Sequence, residues 1–228
     1  MLHISRKCFV ILHVKKKGNV MKTRKMLLCL PLFIILVFCG SFTKGSSYNN
    51  EESRKIFDYT YNMVFGPQGS SLSYNVNIIG VLKVDGSIWY KDKKRKFVES
   101  RYKSWNDGTK EYWVDTKKKT VTLYTAGKRK EERYESKFSF NADDYNYSHK
   151  ETKTTYEVML DARRDVKGIK HLKAIIDKRT RAPKFLKIKV LWFWTTVNIS
   201  NFRSGGISDD VFRFPAEQYK SYQMIDER

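Results

Sequence analysis

Cysteine is nearly missing from this chain: its 228 residues hold three, Cys8, Cys29 and Cys39, and none beyond position 39. If the amino-terminal stretch is removed, disulfides, thiol catalysis and thiolate metal sites are excluded from what remains. Histidine is almost as scarce, with only His149 and His171 beyond residue 13. These two stand far apart and read as ordinary surface or strand histidines, not as a metal or acid-base pair. No glycine-rich phosphate loop follows a strand pattern, and no Gly-x-Ser-x-Gly elbow occurs. Asp143-Asp144 and Asp209-Asp210 are neighbours in sequence and read as solvated turn residues. The expectation is a chain without enzymatic chemistry, cofactor or metal.

Acidic residues are absent from the first 50 positions, where the apolar run from Met26 to Phe38 lies. That run is shorter than the ~20 residues a membrane-spanning helix needs, and Pro31 interrupts it. Lys22, Arg24 and Lys25 precede it, and small or polar residues from Gly40 to Ser47 follow, which is the layout of a secretory signal. The signal is expected over 21–45, with cleavage near Gly45. Residues 1–20 read as an upstream extension outside the fold, with Met21 as the start, and 46–228 as one domain. Leu36 to Gly40 loosely resembles the box at which bacterial lipoproteins are cut and acylated, so a lipid on Cys39 is the alternative.

Beyond position 45 the chain carries 36 Lys and Arg against 24 Asp and Glu, a net charge of +12. Anionic membrane headgroups are the expected transient partner for that sign, through an attraction that salt weakens. Basic residues also alternate with aromatics from Lys91 through Tyr102 and Trp105. That alternation reads as a strand with one solvated face, and nucleic acid is not an expected partner of an exported protein.

From Asn50 to Phe65 the polar residues Glu51, Lys55, Asp58 and Asn62 share one helical face and Ile56, Phe57, Thr60, Met63 and Val64 the other. This is an amphipathic helix, capped by Asn49 or Asn50 and ended by Gly66-Pro67 with Gly69. The period then becomes two: Tyr74, Val76, Ile78, Gly80, Leu82 and Val84 alternate with polar residues. Asp85-Gly86 reads as a hairpin turn into 87–91. Further strands are expected at 96–105, 110–115, 119–125, 154–162, 170–179, 184–194 and 195–203, several separated by turn signals such as Asn106-Asp107-Gly108. Residues 134–150 read either as a loop or as a short lid helix. The fold class is mainly β (α+β), a strongly curved antiparallel sheet with the amino-terminal helix over its concave face.

The stretch Phe185 to Val197 is apolar on both faces, with Leu186, Ile188, Val190 and Trp192 on one and Leu191 and Phe193 on the other. Such a strand must be covered on both sides. A curved sheet with an apolar inner face and a helix across it makes a hydrophobic pocket. Its expected lining is Ile56, Phe57, Met63 and Val64 from the helix, with Tyr74, Val76, Ile78, Leu82, Ile88, Tyr90, Trp113, Leu186, Ile188, Val190, Trp192, Val197 and Ile199 from the strands.

Three segments resemble one family. Gly66-Pro67-Gln68-Gly69 with Ser73 to Ile79 and Gly86 to Lys91 is similar to its helix exit and first hairpin. Trp105 to Gly108 with Tyr112-Trp113-Val114-Asp115 is similar to its Asp-Gly turn and aromatic strand. Phe212-Arg213-Phe214 with Ile225-Asp226-Glu227-Arg228 is similar to its closing Phe-x-Phe strand and Ile-Asp-x-Arg end. In this order the chain resembles the periplasmic carriers of outer-membrane lipoproteins, the LolA-like family, in its Bacteroidetes-type form. The resemblance implies an incomplete antiparallel β barrel that shields the acyl chains of lipoproteins in the periplasm. It also implies a donor complex in the inner membrane, an acceptor at the outer membrane and a monomeric carrier. Lys91-Asp92 stands where well-studied members carry an arginine that latches the lid. A membrane-anchored acceptor acylated at Cys39 and a secreted β interaction domain with a filled core are the other readings.

Overall fold

The computed structural model describes residues 51–78, 82–129, 141–164, 166, 169–190 and 193–228, with the backbone alone for Ile78, Leu82, Val190 and Phe193. Its first element is helix α1, Glu51–Phe65, which buries Ser53, Ile56, Phe57, Thr60, Tyr61 and Val64 on one side. The spacing of these residues is the three-and-four step of one helical face. Gly66 N–H donates to Asn62 O at 2.8 Å and the chain turns at Gly66-Pro67. The Ser70 hydroxyl donates to Val64 O at 2.6 Å and the Ser204 hydroxyl to Met63 O at 2.8 Å, so two of the last helical carbonyls are satisfied by side chains. The proposed caps, Asn49 and Asn50, lie outside the described residues.

Twelve strands follow: β1 Ser70–Ile78, β2 Leu82–Lys91, β3 Lys94–Glu99, β4 Tyr102–Asn106, β5 Lys110–Asp115, β6 Thr120–Thr125, β7 Tyr145–Glu151, β8 Thr155–Ala162, β9 His171–Asp177, β10 Pro183–Val190, β11 Phe193–Ser204 and β12 Gln223–Asp226. They form one sheet in the order β12-β6-β5-β4-β3-β2-β1-β11-β10-β9-β8-β7. Every pairing is antiparallel except β12 with β6. The sheet is curved and unclosed, with β12 and β7 as its edges. Helix α1 touches β7 and β8 at one edge and β1 and β2 in the middle, so the sheet curls around it.

Three expectations need correction. Asp85-Gly86 is not a turn; it lies inside β2, opposite Asn75 and Tyr74. Glycine stands there because the Tyr74 ring crosses it: a β-carbon at position 86 would sit 2.3 Å from the Tyr74 hydroxyl oxygen. The expected strand 96–105 is two strands joined at Ser100-Arg101. The Phe-x-Phe segment is not a strand either, since Asp209–Phe212 is a 3-10 turn opened by Ser208, whose hydroxyl accepts from Asp210 N–H. Two finer points also shift: Asp143 is buried beside Arg54 and not solvated, and residues 193–194 open β11 and do not end β10. Asp107 Oδ1 accepts from the Thr109 and Lys110 amides, each at 2.8 Å, and Gly108 takes φ +96°, the turn expected of Asn-Asp-Gly. Within 134–150, residues 141–150 hold a 3-10 turn, Ala142–Asp144, and most of edge strand β7; 134–140 lie outside the described residues.

The sheet is packed on its inner face and, over β4–β6, on its outer face as well. Its inner face meets α1 through a large apolar core that includes Phe57, Val76, Ile88, Leu160, Leu172, Ile176, Leu186 and Ile188. On the outer face of β4–β6, Trp105, Val114 and Val121 pack against Tyr219, with Tyr112, Phe214 and Tyr222 around them. There the carboxyl-terminal segment is the cover. Phe214 stacks flat on Tyr112 at 4.3 Å, and Trp105 meets Tyr219 edge-on at 5.7 Å.

Candidate functional site

The register explains how the inner face is assembled. Leu72 pairs with Ile88, Tyr74 with Gly86 and Val76 with Val84, so the alternation of β1 continues in phase across β2. Val76 also pairs with Val197, Val197 with Leu186 and Leu186 with Ala174, which carries one apolar row across β11, β10 and β9. Residues opposite one another in a ladder point to the same face, and the whole row therefore looks at α1.

Between the C-terminal half of α1 and this row lies a cleft lined by Phe57, Thr60, Tyr61, Val64, Phe65, Leu72, Tyr90, Ala174, Pro183, Phe185, Leu186 and Ile199. Its walls offer apolar atoms only, and its volume is about 20 Å³. That is room for a single water, far less than a fatty tail fills. The open hydrophobic pocket expected from the sequence is therefore not there: the cleft is closed by its own side chains. Phe65 meets Tyr90 edge-on at 4.8 Å and Tyr61 at 5.0 Å, and this ring cluster is the plug.

Of the expected lining residues, Ile56, Phe57, Val64, Tyr74, Val76, Ile88, Tyr90, Leu186, Ile188 and Val197 are buried in this core, and Ile199 packs against it. Met63 is half-buried and outside the cleft wall. Trp113 stands apart from the cleft, among Phe97, Tyr102 and Arg129. Ile78, Leu82 and Val190 pair at strand ends, while Trp192 lies outside the described residues. Sequence reasoning missed Tyr61, Phe65 and Leu72, and also Thr60, Ala174, Pro183 and Phe185. The first two continue the four-residue step from Phe57, and Leu72 extends the alternation of β1 backwards, so the signals were there.

Beyond α1 the inner face changes character. Glu111 on β5 is buried, accepts from the Ser104 hydroxyl at 2.9 Å and faces the Arg95 guanidinium at 3.3 Å. Arg129 stacks over Trp113 at 4.2 Å, 3.7 Å from Glu111. Glu99 on β3 is buried and accepts from the Tyr74 hydroxyl at 2.5 Å. Loss of water pushes the Glu99 carboxyl up to about 7, while the Tyr74 hydrogen bond opposes that shift. Lys91, at the position of the absent latch, donates to Ile207 O at 3.0 Å and pairs with Asp209, so it holds the carboxyl-terminal segment and not the helix.

Polar contacts hold α1 along its length. Arg54 reaches Asp143 at 2.9 Å and Asp58 at 3.0 Å, and the Thr60 hydroxyl donates to Arg181 O at 2.9 Å. Ser53 Oγ lies 2.7 Å from His149 Nδ1.

No protein-family model matches the chain, nor does any curated protein. Solved structures do match. An uncharacterized conserved protein from Thermus thermophilus is similar with a TM-score of 0.52 at 8% identity, over 77% of this chain and 99% of that one. A putative outer-membrane lipoprotein-sorting protein domain from Vibrio parahaemolyticus is similar at 0.37 and 12% identity, over 75% of this chain and 100% of that one. A LolA-superfamily protein from Nitrosomonas europaea is similar at 0.32 and 6% identity, over 71% and 97%. At these identities the likeness is one of fold alone, and the Thermus protein is the one whose overlap is close enough to carry it.

Proposed function

We propose that this chain is an exported lipid carrier, with 21–45 as its signal and 46–228 as its carrier domain. It takes the acyl chains of lipoproteins between α1 and the inner face of the sheet while they cross the periplasm. The observation that carries the reading is the wholly apolar cleft whose cover is one helix, held at its ends by side-chain hydrogen bonds and an ion pair.

Because the cleft is shut, loading requires α1 to swing away about the Gly66-to-Gly69 turn. The energies make that exchange workable. A sixteen-carbon chain buried in full gains around 12 kcal/mol at about 0.8 kcal/mol per methylene. Uncovering Ile56, Phe57, Tyr61 and Val64 costs about 1.5–3 kcal/mol each, or roughly 6–12 kcal/mol together. Helix and acyl chain compete for one surface at nearly equal strength, so cargo is held yet remains releasable. An open cavity without a displaced cover would bind several chains beyond the roughly 18–21 kcal/mol where affinity saturates, and would not release them.

The anionic membrane surface that such a carrier meets has a counterpart on the outer face. Lys83 is opposite Asn77, Asn77 opposite Thr196, Thr196 opposite Lys187 and Lys187 opposite Lys173, which aligns three lysines in one row. Lys189 and the 39% exposed Trp194 pair beside it. Donor and acceptor complexes at the two membranes belong to this reading through the family resemblance.

The deciding experiment is gentle purification followed by native mass spectrometry and lipid extraction. Acyl species should accompany the protein, and a fluorescent apolar probe should displace them. Recovery of bare protein that binds no such probe would show that the cleft is plain core. An acylated Cys39 at the mature amino terminus would select the anchored acceptor instead.

A further inference from the structure

We propose that Glu52, His149 and Glu151 form a divalent transition-metal site that bridges the first turn of α1 to edge strand β7. One ligand atom from each lies within 4.8 Å of the others. In a tetrahedral zinc site with bonds of about 2.0–2.1 Å, ligand atoms lie about 3.3 Å apart. His149 Nε2 and Glu151 Oε1 are already at 3.4 Å. Only Glu52, an exposed side chain with free rotamers, has to close in.

The atoms that would not bind metal are occupied in the way metal sites require. Ser53 Oγ holds His149 Nδ1 at 2.7 Å, and with Nδ1–H donating to that hydroxyl the lone pair sits on Nε2, the nitrogen that faces the carboxylate. Lys178 Nζ holds Glu151 Oε2 at 2.6 Å and leaves Oε1 turned to the histidine. Partners behind the ligands, which fix tautomer and direction, are what separates a metal site from a chance meeting of acids. One imidazole and two carboxylates suit zinc and its neighbours in the first transition row better than magnesium, which prefers oxygen alone. This assignment revises the expectation that His149 is an ordinary strand histidine.

The site stands on its own geometry. Its effect on loading rests on the carrier reading, because a metal that ties α1 to β7 would hold the lid down. Isothermal titration of tag-free protein with zinc chloride tests the site, with thermal unfolding alongside. One saturable equivalent and a raised Tm are expected, with no response to magnesium chloride. His149→Ala should abolish binding, exposed Glu52→Gln should weaken it roughly tenfold or more, and His171→Ala should leave it unchanged. Binding that survives His149→Ala, or is indifferent to Glu52→Gln, overturns the assignment, as does the absence of saturable binding. Zinc that binds as expected but does not slow uptake of an apolar probe would leave the metal site in place and count against the lid.

Discussion

Two covers lie on one sheet, and they are built differently. On the outer face of β4–β6 the carboxyl-terminal segment is knitted in: β12 adds a strand to β6, Phe214 and Tyr219 interleave with Tyr112 and Trp105, and Asp209 pairs with both Lys91 and Lys94. On the inner face α1 contributes no strand to the ladder, and its contacts are an apolar stripe, side-chain hydrogen bonds and the Arg54–Asp143 ion pair. A cover joined through backbone pairing and interlocked rings separates only when the sheet unfolds. A cover that rests on grease can leave as a unit, because another apolar surface can take its place.

The largest effect that would sharpen this contrast comes from Trp105→Ala. It should cost about 3–5 kcal/mol in urea unfolding, since Trp105 is 5% exposed and meets Phe214 and Tyr219 edge-on. At native conditions probe uptake should stay as before; a parallel fall in uptake would mean that both covers belong to one cooperative unit.

Next in size is Glu99→Gln, beyond the reach of α1. Burial raises the Glu99 carboxyl from an ordinary 4.5 to about 7 in the folded chain. Between those values the native state keeps a proton that the unfolded chain has lost, so native stability falls as pH rises through the window and stays lower above it. Removing the ionisable group should abolish that slope and leave the variant more stable than the parent at pH 8 by up to about 3 kcal/mol. Urea melts at pH 5 and pH 8 measure it, and equal differences at the two values would break the assignment.

Smallest is Thr60→Val, which deletes the hydrogen bond to Arg181 O while keeping the side chain's shape. The loss should be about 1 kcal/mol, with amide exchange across α1 quickening more than across β5 and β6. Uniform quickening over the sheet would show that the helix opens only with everything else.

Much of this was legible in the sequence. The apolar spacing of Ile56, Phe57, Thr60 and Val64 gave α1 almost residue for residue, and the Asn-Asp-Gly turn gave β5 its start. Asp85-Gly86 misled because it has the composition of a hairpin. The reason glycine is there belongs to a distant ring and its partner Glu99, neither adjacent in sequence. Phe212 and Phe214 misled in the opposite way: the family resemblance implied a strand, but Phe212 closes a 3-10 turn and Phe214 anchors the segment onto aromatic rings contributed by β4 and β5.

Periodicity alone determined the alternation of faces and the amphipathic helix, because each depends on neighbours a few residues apart. Tertiary structure alone decided that the cleft is shut, that the inner face turns from apolar to charged between β2 and β5, and that His149 comes within 4.8 Å of Glu52. Those outcomes depend on which strands the curvature brings together across long stretches of chain, and no local pattern encodes such a meeting.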